Sequence, residues 1–219
     1  YKCMPRVMNN ATEMKPVSDV KKAHEYINKK YNIKKDEKVF LFVGRINTLK
    51  NIFFIADSLK AVKEKCPKLK FKMLYVGAGQ DEDKLRERIK ECGLENDAIM
   101  CGKVTDREEL ANYYSRADLF LFPSVYDASS IVQIEAASQS TPAVFLKNTA
   151  TAATVTDNVN GFLSDYTVGA YSDKIIEVMN DKELYNKVSK NAYLDLYKTW
   201  KQMVDKAYEL YKEFINKKM

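Results

Sequence analysis

The chain has 219 residues, is 46% hydrophobic and 30% charged, and carries a net charge of +6. That length fits one large core, and this much apolar material argues against wholesale disorder. Its single histidine, His24, argues against multi-histidine metal sites and histidine-based triads.

Cys3, Cys66, Cys92 and Cys101 form no C-x-x-C pair. They read as reduced packing thiols of a cytoplasmic protein. No apolar run approaches the roughly 18–20 residues that span a bilayer. The start, YKCMPRVMNN, has neither an apolar leader nor an initiator Met, so the chain reads as a piece of a longer one. The basic excess sits at the ends: +5 over residues 1–38, −2 over 39–180 and +3 over 181–219. Solvated helix faces account for such ends, as does a surface that meets anionic lipid at the periphery of a membrane. The basic runs lack interleaved aromatics, so no nucleic-acid partner is expected.

In chain order, Ser18 is expected to cap a helix with Val20, Ala23, Ile27 and Tyr31 on one face. VFLFV (39–43) reads as a buried strand ending at Gly44, and Ile52, Ile55, Leu59 and Val62 then recur at helical spacing. FKMLYV (71–76) is a second strand, DKLRERIKECG a polar helix ending at Gly93, and AIMCG a third strand. Asp106 and Glu109 form a capping box for the next helix. DLFLFP, SIVQIEAAS and PAVFL read as strand, helix and strand, with Ser130 and Gln133 a second capping box. Thr199 and Gln202 make a third, ahead of an amphipathic helix with Trp200, Met203, Val204, Ala207, Leu210, Tyr211 and Phe214 on its apolar stripe.

Solid apolar strands alternating with helices predict a doubly wound α/β fold around a parallel sheet. The core is expected over about 38–180, with helical flanks at 1–37 and 181–219 and no second domain. Ligands of such sheets bind beyond the carboxyl ends of the strands. Arg45 and Lys50 follow the first strand there, with Lys50 expected in the first turn of the next helix. Two cations beside a helix N-terminus suit a diphosphate, as do the unpaired amides expected at 128–132. Two surface cations near a helix start remain the plain alternative. Asp127 and Glu135 place one carboxylate at the mouth of that helix and one a turn inside it. Such a pair holds hydroxyls, and glycoside hydrolysis is another use of paired carboxylates. Gly77-Ala78-Gly79 is a broken dinucleotide fingerprint, with Glu82 where a third glycine belongs. It reads as a tight strand–helix turn. His24 reads as a satisfied helix residue.

Together, VMNNATE, FVGRINTLKN, YVGAGQDEDKLRE, CGKVTDREELANYYSRADLFLFPS, the D-x7-E stretch and STPAVFLKNTATAATVTDNVNGFL resemble the nucleotide-sugar-binding C-terminal domain of retaining GT-B glycosyltransferases, the large family-four group. The resemblance covers nearly the whole chain. It implies a Rossmann-like half of a GT-B fold, residues 1–219 forming one donor-binding domain, with the acceptor-binding N-terminal domain absent. It implies a UDP-sugar as co-substrate, no cofactor and no metal, with Arg45 and Lys50 clamping the diphosphate in a metal ion's place. Ser129, Ser130, Ile131 and Val132 match the phosphate-binding loop, and Gly44, which lets the backbone turn tightly after the first strand, is expected among the substrate-binding residues. Glu135 matches the ribose carboxylate and Asp127 the acid that contacts the donor sugar. Gly77, Lys103 and Val104 match the walls around the base. This sequence departs from the family pattern at Asp127 (usually Glu), at Ala128-Ser129-Ser130 (usually Gly-Phe-Gly) and at Gln139-Ser140 (usually Cys-Gly). These variants resemble the branch that glucosylates diacylglycerol. A sugar-nucleotide epimerase half and a non-catalytic nucleotide-binding module remain alternatives.

Overall fold

The computed structural model describes residues 8–127 and 130–216. Six strands form one parallel sheet: β1 (Lys38–Val43), β2 (Phe71–Val76), β3 (Ala98–Gly102), β4 (Leu119–Leu121), β5 (Ala143–Leu146) and β6 (Phe162–Ser164), ordered β3-β2-β1-β4-β5-β6. The chain winds outward from β1 through β2 to β3, then crosses back and winds the other way from β4. This is the doubly wound α/β fold the apolar strands predict.

Burial explains the strand composition. Val39, Phe40, Leu41 and Phe42 have no solvent exposure, because helices cover both faces of β1. On one side α2 (Ile52–Lys65) packs beside α3 (Glu82–Glu91) and α6 (Val168–Asn180). On the other, α4 (Arg107–Arg116) packs beside α1 (Val20–Lys30) and α5 (Ile131–Ser138). The helix α7 (Lys182–Leu196) contacts both α5 and α6. Phe120, Phe122 and Phe42 stack in sequence beneath the strand ends, with centroids 5.5 and 6.1 Å apart. Burying each such ring contributes about 1.5–3 kcal/mol.

Three expectations need correction. Asp19, not Ser18, caps α1, its carboxylate accepting from the Lys22 amide at 2.9 Å; Val20 lies on the exposed side. The strand β6 escaped sequence reading because FLS is too short to show a period. The last helix, α8 (Trp200–Asn216), forms as expected, yet of its apolar stripe only Met203 is buried. Trp200, Val204, Tyr211 and Phe214 stay exposed. No helix among the described residues is long and apolar enough to cross a membrane.

Candidate functional site: the crevice where the strand order reverses

The order in which strands are added reverses between β1 and β4, which run parallel to each other. The loops leaving these two neighbours run to opposite faces, and a crevice opens beyond their carboxyl ends. Two cavities occupy it, sharing Val43, Gly44 and Arg45 as common wall.

The first, about 550 Å³, lies over β1 and β2 and is walled by Gly44, Arg45, Gly77, Gly79, Lys103 and Val104. Its floor is backbone because side chains do not fit. Gly77 sits at φ +146°, and a Cβ there would fall 1.8 Å from the Gly44 carbonyl oxygen. A Cβ on Gly79 would fall 2.1 Å from the Ile46 oxygen. The two glycines of the broken fingerprint therefore let the β1 and β2 loops lie against each other, bonded from the Ile46 amide to the Ala78 oxygen at 3.1 Å.

The second cavity, about 480 Å³, lies between the β1 and β4 loops. Arg45 and Lys50 wall it on one side, and Asp127, Ser130, Ile131 and Val132 on the other. Arg45 is exposed, and its guanidinium has no partner among the described residues. Lys50 is half-buried and ion-paired to Asp127, with its ammonium 5.8 Å from the Phe122 ring centre. Three of the five buried side-chain polar atoms that lack a partner among the described residues belong to this wall: Asn47 Oδ1, Ser124 Oγ and Asp127 Oδ2. Buried polar groups are ordinarily paired, so these three atoms are the ones on this wall that a bound molecule or water would complete.

Several positions differ from expectation. Lys50 ends a 3-10 turn, Thr48–Lys50, and α2 starts only at Ile52 after left-handed Asn51. Ser130 is the N-cap of α5, but its side chain makes no cap bond, and Gln133 turns instead to the Thr154 hydroxyl at 3.4 Å. The Ser130 hydroxyl thus leaves the start of α5 without a side-chain cap among the described residues. Ala128 and Ser129 lie outside the described residues. Glu135 lines neither cavity. It is 3% exposed and turned toward α4, accepting from Arg107 Nη2 at 2.7 Å and Tyr114 Oη at 3.0 Å. Its place one turn inside α5 aims it at the neighbouring helix, so the expected ribose carboxylate is already engaged.

Sequence reading missed the residues that fix the β1 loop. Asp81, buried ahead of α3, accepts from the Thr48 amide at 2.9 Å and the Thr48 hydroxyl at 3.0 Å. Lys84 and these Thr48 bonds hold its carboxyl below the usual range. An acidic residue just before a helix was the available signal, but nothing in sequence says which loop it reaches. Gln139 ties down the N-terminal segment, accepting from the Val17 amide at 2.9 Å and donating to the Lys15 oxygen at 2.8 Å.

The remaining candidates behave as packing residues. His24 Nε2 lies 2.8 Å from the Ser115 oxygen. Burial pushes the Cys101 thiol up to about 11, which keeps it protonated and unreactive at neutral pH. A third cavity, about 650 Å³, lies between residues 13–19, α1 and α4, and none of the predicted site residues lines it.

The family model described as Glycosyl transferases group 1 matches residues 24–195. Mannosylfructose-phosphate synthase of Agrobacterium fabrum is 32% identical over 135 residues, 59% of this chain and 29% of that protein. Among solved structures, Anabaena Alr3699/HepE in complex with UDP superposes with a TM-score of 0.79 at 19% identity, covering 95% of this chain and 57% of that one. The C-terminal domain of a group 1 glycosyl transferase, LpcC of Francisella tularensis, gives 0.68 at 19% identity, covering 89% of this chain and 95% of that one. The chain spans less than half the length of the curated relatives it matches.

Proposed function

The chain belongs to the glycosyl transferases group 1 family, and from that premise we propose that it is the donor-binding half of a metal-independent, retaining glycosyltransferase that uses a UDP-sugar. The observation that carries this reading is the second cavity. Two cations, the uncapped start of α5 and three unpaired buried polar atoms meet there. A diphosphate is an acceptor-only dianion, and Arg45, Lys50 and the α5 amides are all donors. Each charge-assisted bond contributes about 1.5–3 kcal/mol. The unpaired atoms of Asn47, Ser124 and Asp127 suit the hydroxyls of the attached sugar, and the backbone-lined first cavity suits the base. UDP in the Anabaena relative supports the choice of nucleotide.

In this reading Lys50 exchanges Asp127 for phosphate when the donor arrives, and Asp127 turns to the sugar. Catalysis then rests on stabilising the charge that develops on the leaving diphosphate. The acceptor, a lipid or a polysaccharide, is met by the part of the enzyme outside this chain. The basic ends of the chain support contact with an anionic membrane surface at the cytoplasmic face.

Calorimetry with UDP on the wild type and on the Arg45→Ala/Lys50→Ala variant tests the clamp. The expected result is a loss of at least about 3 kcal/mol of binding, or more than a hundredfold. Equal binding by both proteins refutes the clamp.

A further inference from the structure

We propose that Asn51 is a positioning residue for the diphosphate clamp, fixing Lys50 against the β4 loop; this rests on the donor-site reading above. Asn51 lines neither cavity and touches no ligand in that reading. Its side chain nevertheless joins three loops at the carboxyl end of the sheet. Asn51 Nδ2 donates to the Pro123 oxygen, just beyond β4, at 2.7 Å. Asn51 Oδ1 accepts from Tyr166 Oη, in the loop between β6 and α6, at 2.9 Å. The Tyr166 ring packs edge-on against Phe54 of α2, with centroids 5.2 Å apart.

The backbone explains why asparagine stands here. Asn51 has φ 55° and ψ 37°, the left-handed region. Asparagine is one of the few side chains that visits this region readily, and glycine, the other, would bring no side chain to bridge the loops. Asn51 is at once the end of the turn that carries Lys50 and the start of α2.

Lys50 is therefore held from both sides. Two residues before it, Thr48 is pinned to Asp81; one residue after it, Asn51 is pinned to Pro123. The first bond locates the turn relative to β2 and α3. The second sets the width of the crevice between the β1 loop, with Lys50, and the β4 loop, with Asp127. A clamp on a diphosphate works only if its cation reaches the far phosphate in register, and an error of about 1 Å there is expensive.

The test compares UDP with UMP, which lacks the distal phosphate, on the wild type, Asn51→Gly, Asn51→Asp and Tyr166→Phe. Asn51→Gly keeps the left-handed backbone and deletes both side-chain bonds. Asn51→Asp keeps the acceptor for Tyr166 and loses the donor to Pro123. The expected result is a ratio of UDP to UMP affinity about tenfold lower in both Asn51 variants, and about twofold lower in Tyr166→Phe. Amide hydrogen exchange in the unliganded Asn51→Gly protein should rise over 45–50 and 123–127 and stay unchanged in β2 and α3. A purely structural role would lower the unfolding temperature and leave the ratio intact. A wild type that prefers UDP, with variants that keep the wild-type ratio, overturns the inference alone. A wild type that binds UDP no better than UMP overturns the diphosphate site, and the inference with it. If Asn51→Gly fails to fold, an unchanged ratio in Asn51→Asp and Tyr166→Phe is sufficient to reject the proposal.

Discussion

Two helix starts with the same sequence signature, Thr199/Gln202 before α8 and Ser130/Gln133 before α5, end in opposite states. At α8 the box closes. The Thr199 amide donates to Gln202 Oε1 at 2.8 Å, and the Gln202 amide to the Thr199 hydroxyl at 3.3 Å. At α5 neither half forms. The box at α4 falls between: Asp106 accepts from the Glu109 amide at 2.8 Å, while the Glu109 carboxylate has gone to Lys30 and Tyr26. The closed box caps its helix, and its Thr199 also bridges Thr12 of the N-terminal segment. The open one faces the crevice, where free amides are the useful product. In the donor-site reading proposed above, the open start of α5 leaves its amides for the diphosphate.

The largest effect is expected from closing the crevice itself. Gly77→Ala drives a methyl group into the Gly44 backbone. It should cost about 3 kcal/mol in denaturant unfolding and abolish UDP binding. A stable Gly77→Ala protein that still binds UDP would break the contrast, because the crevice would not depend on close backbone packing.

The two helix starts can then be set against each other. Thr199→Ala removes a cap that is made, and should lower helicity and cost about 1 kcal/mol. Ser130→Ala removes one that is not, and should change stability by less than about 0.5 kcal/mol. Equal costs would mean that Ser130 caps α5 after all.

The half-closed box gives the smallest and pH-dependent effect. Bonds from Lys30 and then Tyr26 hold the Glu109 carboxyl below its ordinary value of 4.5. A group depressed in the folded state binds its proton less readily than in the unfolded chain. Its stabilisation is therefore present above about pH 4.5 and fades as pH falls through the lower, folded value. The pair is partly exposed, so the contribution is on the order of 0.5 kcal/mol. Glu109→Gln should lose that increment at pH 7 and match the wild type in acid. A deficit that persists in acid would assign the effect to packing instead of charge.

Much of the fold was legible because burial writes itself into composition. Strands of the VFLFV kind exist only where both faces are covered, and β1, β2, β4 and β5 announce themselves that way, while β3 at the sheet edge is half-buried throughout. Of the residues at the strand ends, Gly44 and Arg45 were legible from topology, whereas Gly77, Lys103 and Val104 were expected at the site only from the family resemblance; the fold gathers all five on one cavity. What sequence could not show was who pairs with whom. Lys50 and Asp127 are 77 residues apart in sequence and ion-paired in space. Glu135 satisfies the motif spacing, yet a single arginine at the start of α4, Arg107, claims it. Asp81 and Asn51 lie within the stretches that carry the resemblance, but nothing in sequence says that they reach Thr48, Pro123 and Tyr166, which only the fold brings near.

The central claim is that a diphosphate binds between Arg45, Lys50 and the start of α5. A crystal structure of this protein with UDP tests it most directly. Both phosphates are expected in the cavity between the β1 and β4 loops, with Lys50 released from Asp127 and bonded to phosphate oxygen. UDP found in the larger cavity between α1 and α4, or in the crevice with its phosphates directed away from Arg45 and Lys50, would contradict it.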